Sequence, residues 1–307
     1  MEAVPRIDDD KALGALLGLA VGDALGAPLE GTPAGQLDGE HSELTGGGPH
    51  GVRPGQGTGD TQMALRLGLS LADLGGYDAE GALRAYVAWY QTDPPGISDH
   101  MRDVLGRVAG GDDAYRATTE VHLGGATTSG NGALMRTTPI GIAFAGHDEA
   151  LRDATLADAA VTHFDALAGK VALLHNQVVS WMLTSDARRV FDELKDAEWL
   201  DDRIEDVVVP ATSGIYTYAE SLAGSEPGSA IASLSVAVAA FFNAEGFEEG
   251  LVWAVNLGGD ADTNGAVTGA LLGARFGASA IPQRWLDPLE RRAEVEALAP
   301  RLVALAR

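Results

Sequence analysis

The chain has 307 residues, with 21 Lys+Arg against 44 Asp+Glu and a formal net charge of −23 at pH 7. A hydrophobic content of 46% excludes a disordered tail, and the charge disfavours a nucleic acid duplex or an anionic membrane surface as partner. There are no cysteines, which removes disulfides, cysteine-ligated zinc, iron–sulfur clusters and thiol nucleophiles together.

Apolar periodicity reads helical almost throughout. The first helix is expected over residues 11–27, with small and apolar residues on every face, as in a helix packed on all sides. Residues 60–74 follow, with Met63, Leu67, Leu71 and Leu74 at steps of three or four, then 78–91 with Leu83, Tyr86, Val87 and Tyr90. Further helices are expected at 131–144, 151–184, 187–194, 204–222, 230–243, 247–256, 264–276 and 282–306. Residues 206–210 are the best short strand candidate. Two long stretches, 30–57 and 110–130, are rich in Gly, Thr and polar residues and read as loops; loops of that length are usually functional or mobile. No composition break marks a linker, so the expectation is one all-α domain over residues 1–307, a multi-helix bundle of about ten helices.

Residues 1–10 are acidic and lack the apolar core of a secretory signal. The uncharged run 227–244 contains Pro227, Gly228, three serines and Asn243, and reads as a core helix rather than a membrane span. A cytoplasmic protein is expected.

Two segments carry the strongest chemistry. Gly57-Thr58-Gly59-Asp60-Thr61 and Gly258-Gly259-Asp260-Ala261-Asp262-Thr263-Asn264-Gly265 are each a glycine-rich turn entering an apolar helix, with Asp and Thr oxygens at the helix start. Helix capping accounts for one such oxygen per helix. It does not account for both Asp260 and Asp262, since one helix has one N-cap. No Lys or Arg lies within ten residues upstream of Asp260, and the nearest downstream is Arg275. A hard divalent cation bound through oxygens, Mg²⁺, Mn²⁺ or Ca²⁺, relieves that repulsion. The spacing is not that of an EF-hand, and no Walker A, HExxH or Gly-x-Ser-x-Gly sequence occurs. The glycines of 46–51 fit a dinucleotide pattern, yet Pro49 stands where a helix should open, so this segment reads as loop.

Three weaker signals accompany them. Gly130-Asn131-Gly132 enters an apolar stretch and offers backbone N–H groups to an anion such as a diphosphate, or else Asn131 is an ordinary cap. Asp23 interrupts the first apolar helix and reads as a buried structural carboxylate, while Glu30 just past its end is free to reach a site. His163, in Thr162-His163, reads as a packing histidine within a long helix when taken alone.

In this order the stretches GALLGLAVGDALGAPLE (14–30), TGDTQMAL (58–65), GNGALMR (130–136), Thr162-His163 and LGGDADTNGAVTGALLGA (257–274) resemble the ADP-ribosylglycohydrolase family. That family includes the dinitrogenase reductase-activating glycohydrolases and the ADP-ribosylarginine and ADP-ribosylserine hydrolases. The resemblance implies an all-α fold with a binuclear Mg²⁺ or Mn²⁺ centre in a cleft. It assigns Thr58, Asp60 and Asp262 to one metal and Asp260, Asp262 and Thr263 to the other, with Asp262 bridging. Glu30 matches the mobile catalytic acid, and Gly130, Asn131, Gly132 and His163 match residues that hold ADP-ribose. The implied reaction is hydrolysis of the glycosidic bond at the anomeric carbon of ADP-ribose, with an ADP-ribosylated protein or small molecule as partner. One position departs: Gly59 stands where the family usually carries a second Asp. One metal is therefore expected to bind more weakly, and two other readings stay open. One is a non-hydrolytic ADP-ribose- or nucleotide-binding protein; the other is an unrelated metal-dependent hydrolase of another nucleotide or glycoside.

Overall fold

The computed structural model describes residues 6–33, 36–37, 39–94, 96–125, 129–184, 190 and 201–307. Asp8 opens the first helix by accepting from the amides of Asp10 (3.1 Å) and Lys11 (3.2 Å), which satisfies two of its free donors. Helix α1 then runs Asp9–Gly26. The others, in chain order, are α2 (Gly59–Leu74), α3 (Ala79–Tyr90), α4 (Asp99–Ala109), α5 (Ala114–Leu123), α6 (Thr138–Ala143), α7 (Asp148–Ala160), α8 (Ala166–Thr184), α9 (Asp202–Thr212), α10 (Thr217–Ser225), α11 (Ala230–Asn243), α12 (Phe247–Val255), α13 (Ala261–Phe276), α14 (Gln283–Leu286) and α15 (Arg292–Leu305). Among the described residues there is no β-strand, only isolated bridges such as Pro33–Gly258 and Gly130–Ser229. The fold class is all-α, as the periodicity indicates.

The centre of the molecule is the antiparallel pair α1–α13. Gly14, Gly18, Gly22 and Gly26 on α1 recur every four residues and so share one face. They meet Gly273, Gly269, Gly265 and Ala261 on α13, so closely that a β-carbon on Gly22 would overlap the Gly265 carbonyl, and one on Gly18 that of Gly269. Such contact needs glycine at these positions of α1 and at Gly265, Gly269 and Gly273 of α13. The outer faces of the pair are covered by the rest of the bundle, which buries Leu16, Leu17 and Leu25 on α1 and Leu271 and Leu272 on α13. Each such leucine contributes about 1.5–3 kcal/mol relative to exposure. Helix α1 is long and apolar enough to cross a membrane by length and composition, yet 83% of its most apolar window is buried inside the protein. Because the pair is antiparallel, the chain leaving α1 at Glu30 lies against the chain entering α13 at Asp260. Backbone bonds Gly31 N to Gly259 O (2.7 Å) and Gly259 N to Thr32 O (2.8 Å) join the two loops.

Several expected boundaries move, each for a local reason. The expected helix 131–144 is helical only at α6, and residues 131–136 form turns. Pro139 has no N–H to donate back to Met135, and proline instead opens a helix. The expected 151–184 helix breaks between α7 and α8, where the Asp165 carboxylate accepts from Leu167 N at 2.9 Å. The break puts Thr162-His163 in a connection rather than inside a helix. The 204–222 helix breaks at Gly214, whose φ of 75° is left-handed. The 282–306 helix breaks between α14 and α15. The strand candidate 206–210 lies inside α9, where Ile204, Val207, Val208 and Ala211 are buried at helical spacing. The supposed loop 110–130 contains α5, capped by Asp113 accepting from Arg116 N at 2.9 Å. Helix α4 was not anticipated. The expected helix 187–194 lies, except for Val190, outside the described residues.

Candidate functional site

Asp23 organises the first part of the site. It is fully buried, and its carboxylate accepts from Thr58 N (2.8 Å), Thr61 N (3.0 Å) and Thr61 Oγ1 (2.6 Å). Burial pushes its carboxyl above the ordinary range, and these bonds pull it back. Asp23 therefore supplies the oxygen that a cap would supply, from a different helix. This leaves Asp60, in the first turn of α2, without a capping duty: Asp60 is 4% exposed and its Oδ2 has no hydrogen-bond partner. Thr58, the α2 N-cap, makes no side-chain cap bond, and it is its backbone N–H that Asp23 accepts. A threonine hydroxyl has lone pairs that it can offer to a cation.

The second part is the head of α13. Asp260 is its N-cap residue but makes no side-chain cap bond. The amide of Ala261 is taken instead by Glu30 Oε2 at 3.0 Å. Asp262 Oδ1 accepts from Thr263 N at 2.8 Å. One carboxylate oxygen from each of Glu30, Asp260 and Asp262 falls within a group less than 4.8 Å across. Asp60 belongs to the same cluster, since it lines the same cavity and its charge acts on Asp262.

The electrostatics follow from this crowding. Burial first, and then repulsion from Asp260, lifts Glu30 to about 7. Asp60 is held well above the usual carboxylate range by burial and then by Asp23 and Asp260. Asp262 is held up by burial and then by Asp60, Asp260 and Glu30. Among the described residues no Lys or Arg forms an ion pair with any of the four. The positive ends of α2 and α13 meet Asp60 and Asp262 and offset only part of this charge.

These carboxylates line a cavity of about 760 Å³. The same lining carries Gly130, Asn131, Gly132 and His163, so the residues singled out in the sequence converge, Thr58 alone falling outside the lining. The 130–132 turn is held by Asn131 N to Gly228 O (3.0 Å) and Ala230 N to Ser129 O (3.0 Å). Beneath it lies Arg136, which is wholly buried. Its guanidinium reaches Gly132 O (3.1 Å), Asp158 Oδ2 (3.0 Å) and Asp158 O (2.7 Å), and its carbon sits 4.3 Å from the Tyr86 ring centroid. His163 Nδ1 lies 2.9 Å from Thr162 Oγ1, and its ring packs 4.6 Å from that of His100. Burial, His100 and Arg136 push His163 well below its ordinary pKa, so the ring is neutral.

Sequence reasoning missed part of the lining: Trp89, His50, His100, Met101, Met135 and Glu226. Trp89, in the last turn of α3, donates from Nε1 to Gln62 Oε1 at 2.9 Å. A β-carbon at Gly59 would lie 3.1 Å from the Trp89 ring. No local pattern marks Trp89, because its role comes from a contact between α3 and the head of α2. His50 falls in the 46–51 loop, which holds left-handed glycines and no helix, as the proline there indicates.

Comparison with known proteins gives the same assignment throughout the chain. Over 290 residues the chain is 33% identical to the ADP-ribosyl-[dinitrogen reductase] glycohydrolase of Rhodospirillum rubrum, covering 94% of this chain and 92% of that one. It is 28% identical to the ADP-ribosylarginine hydrolase Tri1 of Serratia proteamaculans, covering 97% and 80%. A solved structure described as an ADP-ribosylglycohydrolase-related protein complex superposes with a TM-score of 0.83 at 36% identity, covering 97% of this chain and 99% of that one. The family model for ADP-ribosylglycohydrolase matches residues 5–307. The chain belongs to the ADP-ribosylglycohydrolase family.

Proposed function

We propose that the protein is a divalent-cation-dependent hydrolase that cleaves the glycosidic bond at the anomeric carbon of ADP-ribose, releasing ADP-ribose from a modified side chain or small molecule. The observation that carries the reading is the meeting of Glu30, Asp60, Asp260 and Asp262 in one cavity lining with no cationic side chain paired to them among the described residues. The residues fit a cation: the donors are all hard oxygens, and the buried Asp60 Oδ2 lacks any partner. Thr58, Asp60 and Asp262 would hold one Mg²⁺ or Mn²⁺, and Asp260, Asp262 and Thr263 a second. Bound there, the cations supply Lewis acidity toward the ribose hydroxyls and stabilise charge as the bond breaks.

The chain's own groups do the rest. Glu30, with a pKa near neutrality, gives or takes a proton at the leaving group or the attacking water. The backbone of Gly130–Gly132 and the neutral ring of His163 bind the anionic part of the ligand without adding charge. The cavity volume lies within the range usual for cofactor-sized ligands.

Asp262→Ala is expected to lose metal and turnover together, whereas Glu30→Ala loses turnover and keeps metal. Metal content by emission spectroscopy, alongside ADP-ribose release, checks both. Retained turnover in Asp262→Ala refutes the reading.

A second reading, binding without turnover, is favoured by Gly59 and the Trp89 ring packed over it, because that space then holds no carboxylate. It is supported if the metal-loaded chain binds ADP-ribose yet releases none from ADP-ribosylated arginine or serine peptides. Under that reading Gly59→Asp combined with Trp89→Ala raises metal stoichiometry and starts release.

A further inference from the structure

Asn131 matches a residue that holds ADP-ribose, but its side-chain amide is already engaged by the protein. Asn131 Nδ2 lies 2.9 Å from Ser233 Oγ and 2.5 Å from Asp260 Oδ2. An amide nitrogen carries two hydrogens, and these two contacts use both. The orientation of the amide is fixed by chemistry: a carboxylate only accepts, so the nitrogen and not the oxygen must face Asp260. Ser233 stands on α11 and is fully buried, so it does not yield its place to solvent. The Asn131 backbone is held as well, through its N–H to Gly228 O at 3.0 Å. Asp260 Oδ2 in turn lies beside Gly228, within 3.8 Å of where a β-carbon there would stand. Asp260 makes no cap bond of its own, so Asn131 is its side-chain partner at the head of α13.

We infer that Asn131 is a positioning residue for Asp260: its amide holds one carboxylate oxygen and turns the other toward the cation site. The ligand's anionic part is then met by the backbone of the turn and not by the Asn131 amide. The inference rests on the metal reading proposed above. It also explains how the 130–132 turn and the α13 carboxylates, 129 residues apart in the chain, keep one relative geometry. Hydrogen-bond partners that orient a metal-binding carboxylate typically account for 10–100-fold in metal affinity.

The test uses the full chain, stripped with chelator and titrated with Mn²⁺ while free Mn²⁺ is followed by electron paramagnetic resonance. Asn131→Ala and the near-isosteric Asn131→Leu are expected to bind Mn²⁺ about 10–100-fold more weakly, with circular dichroism unchanged. In an Asp260→Ala background the same changes cause no further loss, because the partner they act through is gone. Mn²⁺ affinity within about twofold of the unaltered chain, with ADP-ribose affinity lost, overturns the inference and makes Asn131 a direct ligand contact. Full additivity in the Asp260→Ala background overturns it too. If the unaltered chain takes up no Mn²⁺, the metal reading itself falls and this inference with it.

Discussion

The buried ion pair under the 130–132 turn gives the sharpest test of how the fold supports the site. Asp158 and Arg136 have side chains 1% and 0% exposed, with Nε to Oδ2 at 3.0 Å. The other Asp158 oxygen accepts from Tyr86 Oη at 2.7 Å. Burial alone would lower the Arg136 pKa, but Asp158, Tyr86 and Tyr77 together outweigh it and the guanidinium stays charged. Asp158→Ala strands that charge and leaves the tyrosine hydroxyl without its acceptor. Breaking a buried pair from one side costs about 3–5 kcal/mol. An unfolding entropy of about 2.1 cal/mol/K per residue becomes about 0.64 kcal/mol/K over 307 residues. A loss of about 4 kcal/mol therefore lowers Tm by about 6 °C. Calorimetry measures it. Replacing the whole group with Arg136→Met, Asp158→Leu and Tyr86→Phe together removes the stranded charge and should recover more than half of the loss. ADP-ribose binding should still be impaired in that variant, because Gly132 O has lost its donor. A drop under about 2 °C for Asp158→Ala, or a triple variant no more stable than the single, refutes the reasoning.

Two further outcomes follow from the carboxylate cluster and the central helix pair. Glu30, Asp60 and Asp262 all hold protons more tightly folded than unfolded, so the metal-free chain loses stability as pH rises from the ordinary carboxylate range through about 7, where folded Glu30 titrates. Buried His100, His163 and His175 act with the opposite sign, but their contribution is complete above about pH 6.5. Thermal melts with chelator should therefore fall between about pH 6.5 and 7.5, and Glu30→Gln should flatten the slope; a rising Tm would contradict the cluster. Gly22→Ala forces α1 and α13 apart and is expected to cost about 1–3 kcal/mol or more, with weakened Mn²⁺ binding because the Glu30 and Asp260 loops separate. Gly224→Ala in α10, where a β-carbon meets nothing within 4 Å, is the control and should be neutral or slightly stabilising.

Much of this was legible in the chain itself. Helical spacing of apolar residues marked α1, α2, α3, α11, α12 and α13 to within a few residues, because a helix that buries one face must repeat near every 3.6 positions. The acidic segment 260–263 stood out because it held two carboxylates where capping uses one, with no nearby cation, whereas 58–61, with Asp60 alone, was compatible with capping and gained weight only from its place beside a glycine-rich turn. Asp23 read as a buried carboxylate bonded to backbone donors, and it is one. Where a single residue interrupts a helix, as Pro139 and Asp165 do, the signal was present but weaker than the apolar periodicity running across it.

Other features belong to the tertiary structure alone. Local sequence carries φ/ψ preference, periodicity and charge, and these determined an all-α chain with oxygen-rich helix starts. They hold no information about which helix faces meet. The glycines of α1 and α13 let two backbones touch, and that contact set Glu30 against the amide of Ala261, Asp23 under the head of α2, and Asn131 across from Asp260. Partners separated by tens to hundreds of residues are selected by packing, since the alternative arrangements would bury charge and backbone donors without mates.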